Sequence, residues 1–514
     1  MVSSHLPSGQ EDQTFNPFIG KGFPMLLHDL LRELDPRRSF VSIPNVLISA
    51  IHEDSRRVVP GAMFIARAGT KTDGAQYVAD AAARGAVAIL AQSRIEGCDL
   101  PQVLVKDPAS AASTLAHAFH EHPTRQVKTI GITGTNGKTT TTYLIRHLLG
   151  NVGRRCGMIG TVQIDDGRKT VEAAMTTPGP VDLACLLATM RDNGCWTCAM
   201  EVSSHALHQK RIGGIEFAAA AFTNLTGDHL DYHMTMDAYA DAKAMLFEGL
   251  DDRAVAVVNA RDKYAARMIR DTPARVIRFG FNKKADYQAR DIAVTAQGSH
   301  FVLVTPDGQA NVRMQLIGKH NIENALTAAA VVGEAFGLSV HQIASGLKDA
   351  QGAPGRLQAV RSGQPFAVLV DYAHTDDAME NVLSALRPLA RGKLRVLFGC
   401  GGDRDRSKRP RMARTAMKFA DVAYVTSDNP RTENPQAIIN EILTGIPADK
   451  SASVVVEPDR RRAIETALTD AQAGDIVLLA GKGHENYQII GTEKRHFDDV
   501  EEANGILSDR FAKM

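Results

Sequence analysis

The residues from Gly131 to Thr140, Gly-Ile-Thr-Gly-Thr-Asn-Gly-Lys-Thr-Thr, have the types and spacing of a phosphate-binding loop. They lie between an apolar, β-branched run at 127–132 and a helical pattern at 139–149, which predicts a strand, a glycine turn and a helix. Backbone N–H groups and the helix N-terminus would face phosphate oxygens, with a positive charge from Lys138 and a hydroxyl for Mg2+ from Thr139. The expected nucleotide contacts are Gly134, Thr135, Asn136, Gly137, Lys138, Thr139 and Thr140.

This loop departs from the usual G-x-x-x-x-G-K-S/T pattern, because Ile132 stands where the first glycine is expected. An ordinary strand-to-helix turn rich in Gly, Asn and Thr is the alternative interpretation. The Gly-Lys-Thr run directly after a strand of buried type favours the phosphate-binding loop.

The elements around this loop divide the chain into three predicted domains, as its 514 residues allow if a domain has roughly 150 residues. Residues 1–107 contain short strands and alanine-rich helices, one of them predicted at 77–91, after a tail of about 20 residues that we expect to be disordered. Residues 108–350 hold the glycine loop among alternating strands and helices. A turn-forming sequence at 351–355 opens the third domain, 351–514.

The third domain repeats one pattern, in which a short apolar run is followed by polar or glycine-rich residues. Such runs lie at 366–370, 394–398, 422–426 and 476–480. Strands that alternate with helices form a parallel sheet, and ligands bind at the carboxyl ends of its strands. The predicted fold class is therefore α/β. A central P-loop ATPase-like parallel sheet would lie between a small N-terminal α/β domain and a C-terminal Rossmann-like domain.

Composition argues against several classes of partner. Lys and Arg number 59 and Asp and Glu number 58, so no excess charge points to nucleic acid or an anionic membrane. No run approaches the roughly 18 apolar residues of a membrane span, and residues 1–16 lack the features of a secretory signal. Six cysteines do not make a disulfide scaffold, and the C-x-x-C pair Cys195 and Cys198 lies in a predicted buried strand. We expect a reducing, cytoplasmic protein.

Polar residues after two further strands of the middle domain can bind a metal. Glu201 ends the apolar run at 195–202, and His229 follows the next predicted strand. Mg2+ prefers oxygen ligands and keeps several waters, so a lone histidine is an unusual ligand for it. His229 as a turn histidine and Lys243 as a solvated surface lysine therefore stay open as alternatives.

Taken together, these motifs resemble those of the Mur ligase family. The matching residues follow the family's order from about residue 54 to residue 488: the glycine loop, Glu201, Asn224, Asp228, His229, Lys243, Asn321, Asn324, Arg356, Asp371 and His374. The resemblance is strongest to members that add a diamino acid to a UDP-muramoyl dipeptide. It implies ATP-dependent amide formation, in which a substrate carboxylate attacks the γ-phosphoryl group and an amine then displaces phosphate from the acyl phosphate.

The resemblance also implies roles for individual residues. Similar ligases carry a carbamylated lysine at the position of Lys243, where an anionic carbamate replaces an ammonium with a pKa of about 10.4. One Mg2+ would be held by His229 and carbamylated Lys243, and a second by Thr139 and Glu201. The other implied contacts to the nucleotide or the reacting phosphate are Lys138, Asn321, Arg356, Asp371 and His374. Closure of the third domain over the middle one would bring these groups together.

Two further sets of residues are implied for the substrates. The contacts to UDP-N-acetylmuramoyl-L-alanyl-D-glutamate would be Ser55, Thr176, Thr177, Ser203, Gln209 and Arg211. The Asp428-Asn-Pro-Arg431 run resembles the signature of members that add meso-2,6-diaminopimelate, whose second carboxylate an arginine can bind bidentately. The contacts to this amine would be Arg404, Asp428, Asn429, Pro430, Arg431, Gly481 and Glu485.

Three alternatives remain at this point. A ligase of the same type that uses L-lysine is opposed by Arg431, and a folate polyglutamylating ligase by the Thr176-Thr-Pro-Gly run. A P-loop nucleotide switch would have no use for Lys243 as a metal ligand. We expect a monomer in cytoplasmic peptidoglycan precursor synthesis, with ATP and Mg2+ as cofactors, small-molecule substrates, and no nucleic-acid or membrane partner.

Overall fold

The computed structural model describes residues 22–37, 40–69 and 72–511. These residues form three α/β regions in chain order, each built around its own main sheet, and the predicted fold class is confirmed. The tail expected at the N-terminus lies outside the described residues. Within the described part of the chain, no helix has both the length and the apolar composition needed to cross a membrane.

The N-terminal region is a small parallel sheet flanked by helices. Its elements are β1 (Met25–Leu26), α1 (Leu27–Arg32), β2 (Leu47–Ile48), β3 (Ala50–His52), β4 (Ala62–Ala66), α2 (Val78–Ala83), β5 (Ala86–Ala91), β6 (Gln102–Leu104) and α3 (Pro108–Phe119). The sheet has the order β3-β4-β5-β6, and β1 pairs with β2 in a separate antiparallel ladder. Helix α3 packs Leu115 and Phe119 into the same core as Leu30 and Leu90, and the domain boundary after residue 107 stays a prediction.

The helix predicted at 77–91 is wrong in its second half. Helix α2 ends at Ala83, because Gly85 adopts a positive φ of 97° that ends helical structure, and the chain continues as strand β5. Strand β5 pairs with β4 and β6, and five of its six residues are buried, as in a strand that is covered on both faces.

The central region contains the largest sheet. Its elements are β7 (Lys128–Thr133), α4 (Lys138–Asn151), β8 (Cys156–Ile159), β9 (Gln163–Asp165), β10 (Thr170–Glu172), α5 (Pro180–Asp192), β11 (Thr197–Glu201), α6 (Ser204–His208), β12 (Phe217–Phe222), α7 (Leu230–His233), α8 (Met236–Glu248), β13 (Val255–Asn259), α9 (Ala265–Met268), β14 (Arg275–Gly280), β15 (Tyr287–Thr295), β16 (Gly298–Thr305), β17 (Gly308–Met314), α10 (Lys319–Phe336) and α11 (Val340–Asp349). The strand order is β10-β9-β8-β11-β7-β12-β13-β14-β15-β16-β17, parallel from β8 to β15 and antiparallel at both edges. Strand β7 therefore lies between β11 and β12, and the carboxyl ends of all three meet at one edge.

The C-terminal region is a second sheet of mainly parallel strands. Its elements are β18 (Gln358–Val360), β19 (Ala367–Asp371), α12 (Asp376–Leu386), β20 (Leu394–Phe398), α13 (Lys408–Phe419), β21 (Val422–Val425), α14 (Pro435–Leu443), β22 (Val454–Val456), α15 (Arg460–Asp470), β23 (Ile476–Ala480), β24 (Tyr487–Ile490), β25 (Glu493–His496) and α16 (Asp499–Phe511). The strand order is β18-β19-β23-β20-β21-β22, with only β18 antiparallel, and β24 and β25 form a separate hairpin. The four predicted apolar runs correspond to β19, β20, β21 and β23.

The C-x-x-C pair is part of the central core. Cys195 and Cys198 are buried and unbridged, and burial raises the pKa of the Cys195 thiol to about 12. Because the thiolate is the reactive form, such a thiol is inert, in agreement with a structural role for the pair.

Helices α15 and α16 are joined by a fully buried ion pair, in which Arg460 Nη2 lies 2.6 Å from Asp499 Oδ2. We expect Asp499→Ala to lower the free energy of unfolding by about 3–5 kcal/mol, because it leaves an unpaired guanidinium in the core. Urea denaturation measures this change. Glu502→Ala is the matched control, since it removes the partner of the exposed Arg461 in an ion pair between the same helices and should cost less than about 1 kcal/mol. Equal losses would contradict the prediction.

Candidate functional site

The glycine loop joins the end of β7 at Thr133 to the start of α4 at Lys138. Gly134 has a φ of 144°, and a Cβ atom there would lie 2.0 Å from Thr223 Oγ1. Gly137 has a φ of 86°, and its Cβ would lie 2.3 Å from Asn324 Oδ1. Both positions therefore require glycine, which lets the loop pass close to neighbouring polar side chains.

Residues that follow β12 fix the position of the loop through hydrogen bonds. The Thr135 N–H donates to the Asn224 carbonyl at 2.8 Å, and the Asn136 N–H donates to Asn224 Oδ1 at 3.0 Å. The Thr223 hydroxyl donates to the Asn136 carbonyl at 2.6 Å. The loop is thus fixed by its neighbours, as an electrostatically preorganised phosphate site requires. Thr223 was not singled out from the sequence, because its role depends on the pairing of β12 with β7.

Two lysines donate to one carbonyl of this loop. Lys138 Nζ and Lys243 Nζ each lie 3.0 Å from the Gly134 oxygen, and Lys138 also donates to the Thr135 carbonyl at 3.0 Å. Lys243, on α8, is only 1% exposed, so the solvated surface lysine is excluded. Burial and the nearby Lys138 charge hold the pKa of Lys243 well below its ordinary value.

A buried carboxylate stands at the end of β11, next to the loop. Glu201 is fully buried, and its Oε2 accepts hydrogen bonds from the hydroxyls of Thr139 and Thr161, each at 3.0 Å. Its Oε1 accepts the Thr161 N–H at 2.8 Å. The structure therefore brings together the predicted metal ligands Thr139 and Glu201. Their oxygen atoms suit Mg2+, which is commonly held by one or two carboxylates together with substrate phosphates.

The second predicted metal pair is less compact. His229 is half-exposed in a left-handed conformation, with its Nε2 3.5 Å from Asp228 Oδ2. Its ring and Lys243 Nζ both lie near Tyr239, at 6.2 Å and 4.5 Å from the ring centroid. Among the described residues, no group of three or more His, Cys, Asp or Glu side chains could hold a metal by itself. A cation at either pair would need further oxygen ligands, as phosphate, water or a carbamate provides.

A cavity of about 920 Å³ lies above the loop, between the central and C-terminal regions. It is lined by the predicted residues Thr135, Asn136, Gly137, Lys138, Thr139, Thr140, Glu201, Asn321, Arg356 and Asp371. Thr161, Thr223, His320 and Leu357 line it as well and were not singled out from the sequence. The cavity is at the upper end of the usual range for small-molecule sites.

The C-terminal wall of this cavity is organised by Asp371 at the end of β19. Its Oδ2 accepts the Leu357 N–H at 2.7 Å and its Oδ1 the Ala373 N–H at 2.9 Å, and burial raises its pKa. The Arg356 guanidinium lies 5.1 Å from the Tyr372 ring centroid. Asp371 thus shapes the loop that presents Arg356.

His374 follows on the same loop, with its Nδ1 2.9 Å from the Tyr372 carbonyl oxygen. Burial lowers the pKa of this imidazole, which favours its neutral form. His374 is not among the residues that line the cavity.

A second candidate binding region, at the predicted amine pocket, lies where β21 and β23 end. Asn429 Nδ2 donates to Glu485 Oε2 at 2.8 Å, and Arg431 Nη1 donates to the Gly402 carbonyl at 2.8 Å. A Cβ on Gly481 would lie 3.4 Å from Asp428 Oδ2. Arginine and carboxylate groups therefore lie near each other at this sheet edge, a combination that suits a zwitterion.

The remaining predicted residues of this pocket lie at its border. Arg404 and Arg431 both approach Gly401, with Arg404 exposed. Pro430 is buried, and its carbonyl oxygen lies close to Gly402. A Cβ atom added at Gly402 would be only 1.9 Å from this oxygen. Lys482 was not singled out as a contact, although it lies in the same Gly-Lys-Gly-His-Glu run as Gly481 and Glu485.

The residues predicted for the nucleotide-sugar form a hydrogen-bonded strip beside Glu201. Thr177 Oγ1 donates to the Glu201 carbonyl at 2.9 Å and accepts the Ser203 N–H at 3.1 Å. Arg211 donates to the Thr177 carbonyl at 2.7 Å and, through Nη2, to Gln209 Oε1 at 2.7 Å.

Two members of that set lie at the ends of the strip. The Thr176 hydroxyl is 3.1 Å from the Thr161 hydroxyl. Ser55 is in the N-terminal region, where its buried side chain forms a hydrogen bond with Asp80. Arg57, two residues further along the chain, forms an ion pair with Asp182 of the central region at 2.9 Å, so the two regions adjoin here.

Comparison with known proteins gives one consistent result. Family models match residues 47–120 (Mur ligase family, catalytic domain), 132–332 (Mur ligase middle domain) and 355–483 (Mur ligase, glutamate ligase domain). The chain is 45% identical to a UDP-N-acetylmuramoyl-L-alanyl-D-glutamate–2,6-diaminopimelate ligase of Geobacillus kaustophilus, over 90% of this chain and 95% of the relative. It is also 45% identical to the protein of that name from Gloeobacter violaceus, over 95% and 99%.

Solved structures agree with this result. A structure of a ligase of the same name superimposes with a TM-score of 0.70 at 34% identity, over 93% of this chain and 99% of that one. Folylpolyglutamate synthase of Mycobacterium tuberculosis, complexed with ADP and AMPPCP, has a TM-score of 0.58 at 19% identity, over 79% and 96%, and shares the fold alone.

The geometry of the loop predicts that Gly137→Ala weakens nucleotide binding at least about tenfold, because the new methyl group clashes with Asn324 in a backbone conformation that alanine disfavours. Titration with a fluorescent ATP analogue measures the affinity. Gly150→Ala is the matched control in α4, since nothing lies within 4 Å of its Cβ position. It should leave affinity unchanged. Equal affinity of the two variants would argue against this loop as the nucleotide site.

Proposed function

Because the chain belongs to the Mur ligase family, we propose that it joins meso-2,6-diaminopimelate to UDP-N-acetylmuramoyl-L-alanyl-D-glutamate at the expense of ATP. The observation that carries this proposal is the combination of a phosphate-binding loop with a separate pocket of arginines and carboxylates. A nucleotide switch needs the first site alone. The names of the close relatives support the same choice of substrates.

The reaction proceeds in two displacements. The free D-glutamyl carboxylate attacks the γ-phosphorus of ATP, the bond to the β-phosphate oxygen breaks, and ADP leaves. An amine of diaminopimelate then attacks the carbonyl carbon of the acyl phosphate and loses a proton, and inorganic phosphate leaves. Both steps gather anions in one place, so the reaction depends on cationic and dipolar groups that are already in position.

Lys138 and the start of α4 supply those groups. The lysine ammonium donates to loop carbonyls and can transfer these hydrogen bonds to phosphate oxygens within the same cavity. Thr139 and Glu201 would hold one Mg2+, and His229 and carbamylated Lys243 would hold the other. When bound, Mg2+ would supply positive charge that stabilises the phosphate groups. Asn321, Arg356 and Asp371 complete the nucleotide site in the cavity, and His374 would contribute from the loop that follows Asp371.

The surroundings of Lys243 support the proposal that it is carbamylated. Only a neutral amine captures CO2: a bond forms between Nζ and the carbon, and a proton is released. The lowered pKa of Lys243 keeps the amine neutral closer to physiological pH than an exposed lysine. The resulting carbamate presents oxygen to the cation and relieves the repulsion between Lys243 and Lys138.

The second pocket selects the amine. Arg404 and Arg431 bind the carboxylate that diaminopimelate has and lysine lacks, and Asp428 and Glu485 bind the adjacent ammonium, with Asn429, Pro430 and Gly481 shaping the pocket. Lysine would leave an arginine unpaired, at a cost of roughly 2–5 kcal/mol.

The UDP-muramoyl dipeptide binds apart from the amine, and each part of the chain has its own substrate. The strip of Thr176, Thr177, Ser203, Gln209 and Arg211 binds the muramoyl dipeptide, with Ser55 contributing from residues 1–107. Residues 108–350 bind ATP and residues 351–514 the amino acid. The protein acts as a monomer in cytoplasmic peptidoglycan precursor synthesis.

Phosphate release tests this function directly. With ATP, Mg2+ and the UDP-muramoyl dipeptide present, meso-diaminopimelate should stimulate release at least about tenfold more than L-lysine, because only diaminopimelate pairs with Arg431. Stimulation by lysine alone would keep the ligase and refute the amine. Glutamate added to a folate acceptor should have no effect. ATP hydrolysis that ignores both amines would favour the nucleotide switch.

Lys243→Ala should lower kcat by about 10²–10³-fold, because an anionic ligand near the transferring phosphoryl group is lost. Acetate or formate should restore part of the activity by occupying the space of the carbamate. Lys284→Ala, at an exposed lysine of the same region, is the matched control and should remain fully active. Full activity of the Lys243 variant, or rescue by chloride to the same extent, would contradict the carbamate.

A further inference from the structure

Lys482 is buried between the two carboxylates of the amine pocket. It is the second residue after β23, and its side chain has no exposed surface. Its Nζ lies 3.6 Å from Asp428 Oδ1 and 3.6 Å from Glu485 Oε2, and it donates to the Tyr487 carbonyl. Asp428 Oδ1 is itself buried without a hydrogen-bond partner. These are ion-pair distances, so the lysine acts on both carboxylates mainly through its charge.

The other charged groups around the pocket are paired with each other or lie at its border. Arg460 lies behind the carboxylates but is paired with Asp499. Arg356, Arg404 and Arg431 lie toward the nucleotide cavity and the pocket border, and the neutral rings of Tyr372, Tyr487 and His484 complete the surroundings. Asp428, Glu485 and Lys482 together carry one net negative charge. This balance matches a single substrate ammonium.

We propose that Lys482 is a positioning residue that holds Asp428 and Glu485 as a pair of ionised carboxylates, so that the pocket binds one ammonium of the amine substrate. This inference rests on the proposed ligase function. Two buried carboxylates without a cation between them share a proton, and a protonated carboxyl group binds an ammonium weakly. Burial and the Asp428 charge already raise the pKa of Glu485, and Lys482 opposes this rise.

The alternative is a purely structural lysine that fills the core and ties the β24 segment through the Tyr487 carbonyl. Lys482→Gln separates the two roles, because the amide can still donate a hydrogen bond but carries no charge. Lys482→Arg restores the charge. Lys450→Gln is a matched control, since Lys450 is a partly buried lysine that donates to the Met417 carbonyl elsewhere in the C-terminal region.

The measurement is the KM for meso-diaminopimelate and for ATP between pH 6.5 and 8.5, by phosphate release. In Lys482→Gln, we expect the pKa of one carboxylate of the Asp428 and Glu485 pair to lie about one unit above the assay pH. The KM for diaminopimelate should then be about tenfold higher near neutral pH. Raising the pH ionises the carboxylates again, so the KM of this variant for diaminopimelate should fall toward the wild-type value at higher pH. The KM for ATP should stay within about twofold. Lys482→Arg and Lys450→Gln should keep the wild-type pH profile.

Two results would overturn the inference. One is an unchanged KM for diaminopimelate in Lys482→Gln, and the other is a parallel, pH-independent rise of both KM values, as a structural defect produces. If the glutamine variant does not fold, Lys482→Met keeps the length and apolar stem of the side chain and undergoes the same test. Wild-type protein that ignores diaminopimelate would instead overturn the proposed function, and that result is visible before any variant is made.

Discussion

The chemistry of the central region depends on two buried lysine amines that meet at one carbonyl oxygen. Lys138 and Lys243 each donate to Gly134 at 3.0 Å, and two charged ammonium groups cannot both be stable at this spacing away from water. Burial lowers the pKa of both amines, and at Lys243 the Lys138 charge adds to the effect and holds the pKa well below its ordinary value. A lysine with a lowered pKa beside a phosphate site loses its proton more readily, and only the neutral amine can become an anionic carbamate ligand. In the proposed mechanism, carbamylation replaces an ammonium that repels a metal cation with a carbamate that attracts it.

That arrangement is possible because neighbouring strands end at the same edge. Strands β11, β7 and β12 are adjacent and parallel, so Glu201, the glycine loop and Thr223 converge without any long connection. The C-terminal sheet uses the same geometry, with β19 ending at Asp371 and β23 directly before Gly481. Each sheet therefore presents its polar residues at one edge, and the nucleotide cavity lies where the two regions adjoin.

Much of this could be predicted from the sequence, because local signals are strong at strand ends. Apolar runs followed by glycine or polar residues located β7, β20, β21 and β23 to within one or two residues. The helix predicted at 77–91 failed because its alanine-rich composition masked the change of direction at Gly85. The environment of Lys243 could not be predicted from its residue type, since its burial arises from packing of α8 against the loop. The contacts of Thr223 and Lys482 have the same origin in tertiary structure.

Two buried lysines of this chain occupy opposite electrostatic surroundings, and this contrast explains how one residue type can serve both sites. At Lys243 the strongest nearby charge is that of a second lysine, with Asp228 as a weaker opposite charge, whereas Lys482 has two carboxylates at 3.6 Å. In the amine pocket, Arg431 is already oriented by the Gly402 carbonyl, so little side-chain freedom is lost when a carboxylate binds. A negative group of residues beside a positive one is complementary to a carbon that bears both ammonium and carboxylate. In the proposed mechanism, free L-lysine, with an ammonium alone at its far end, would satisfy only half of that pocket, so the discrimination would arise from the unpaired arginine and not from the net charge of the site.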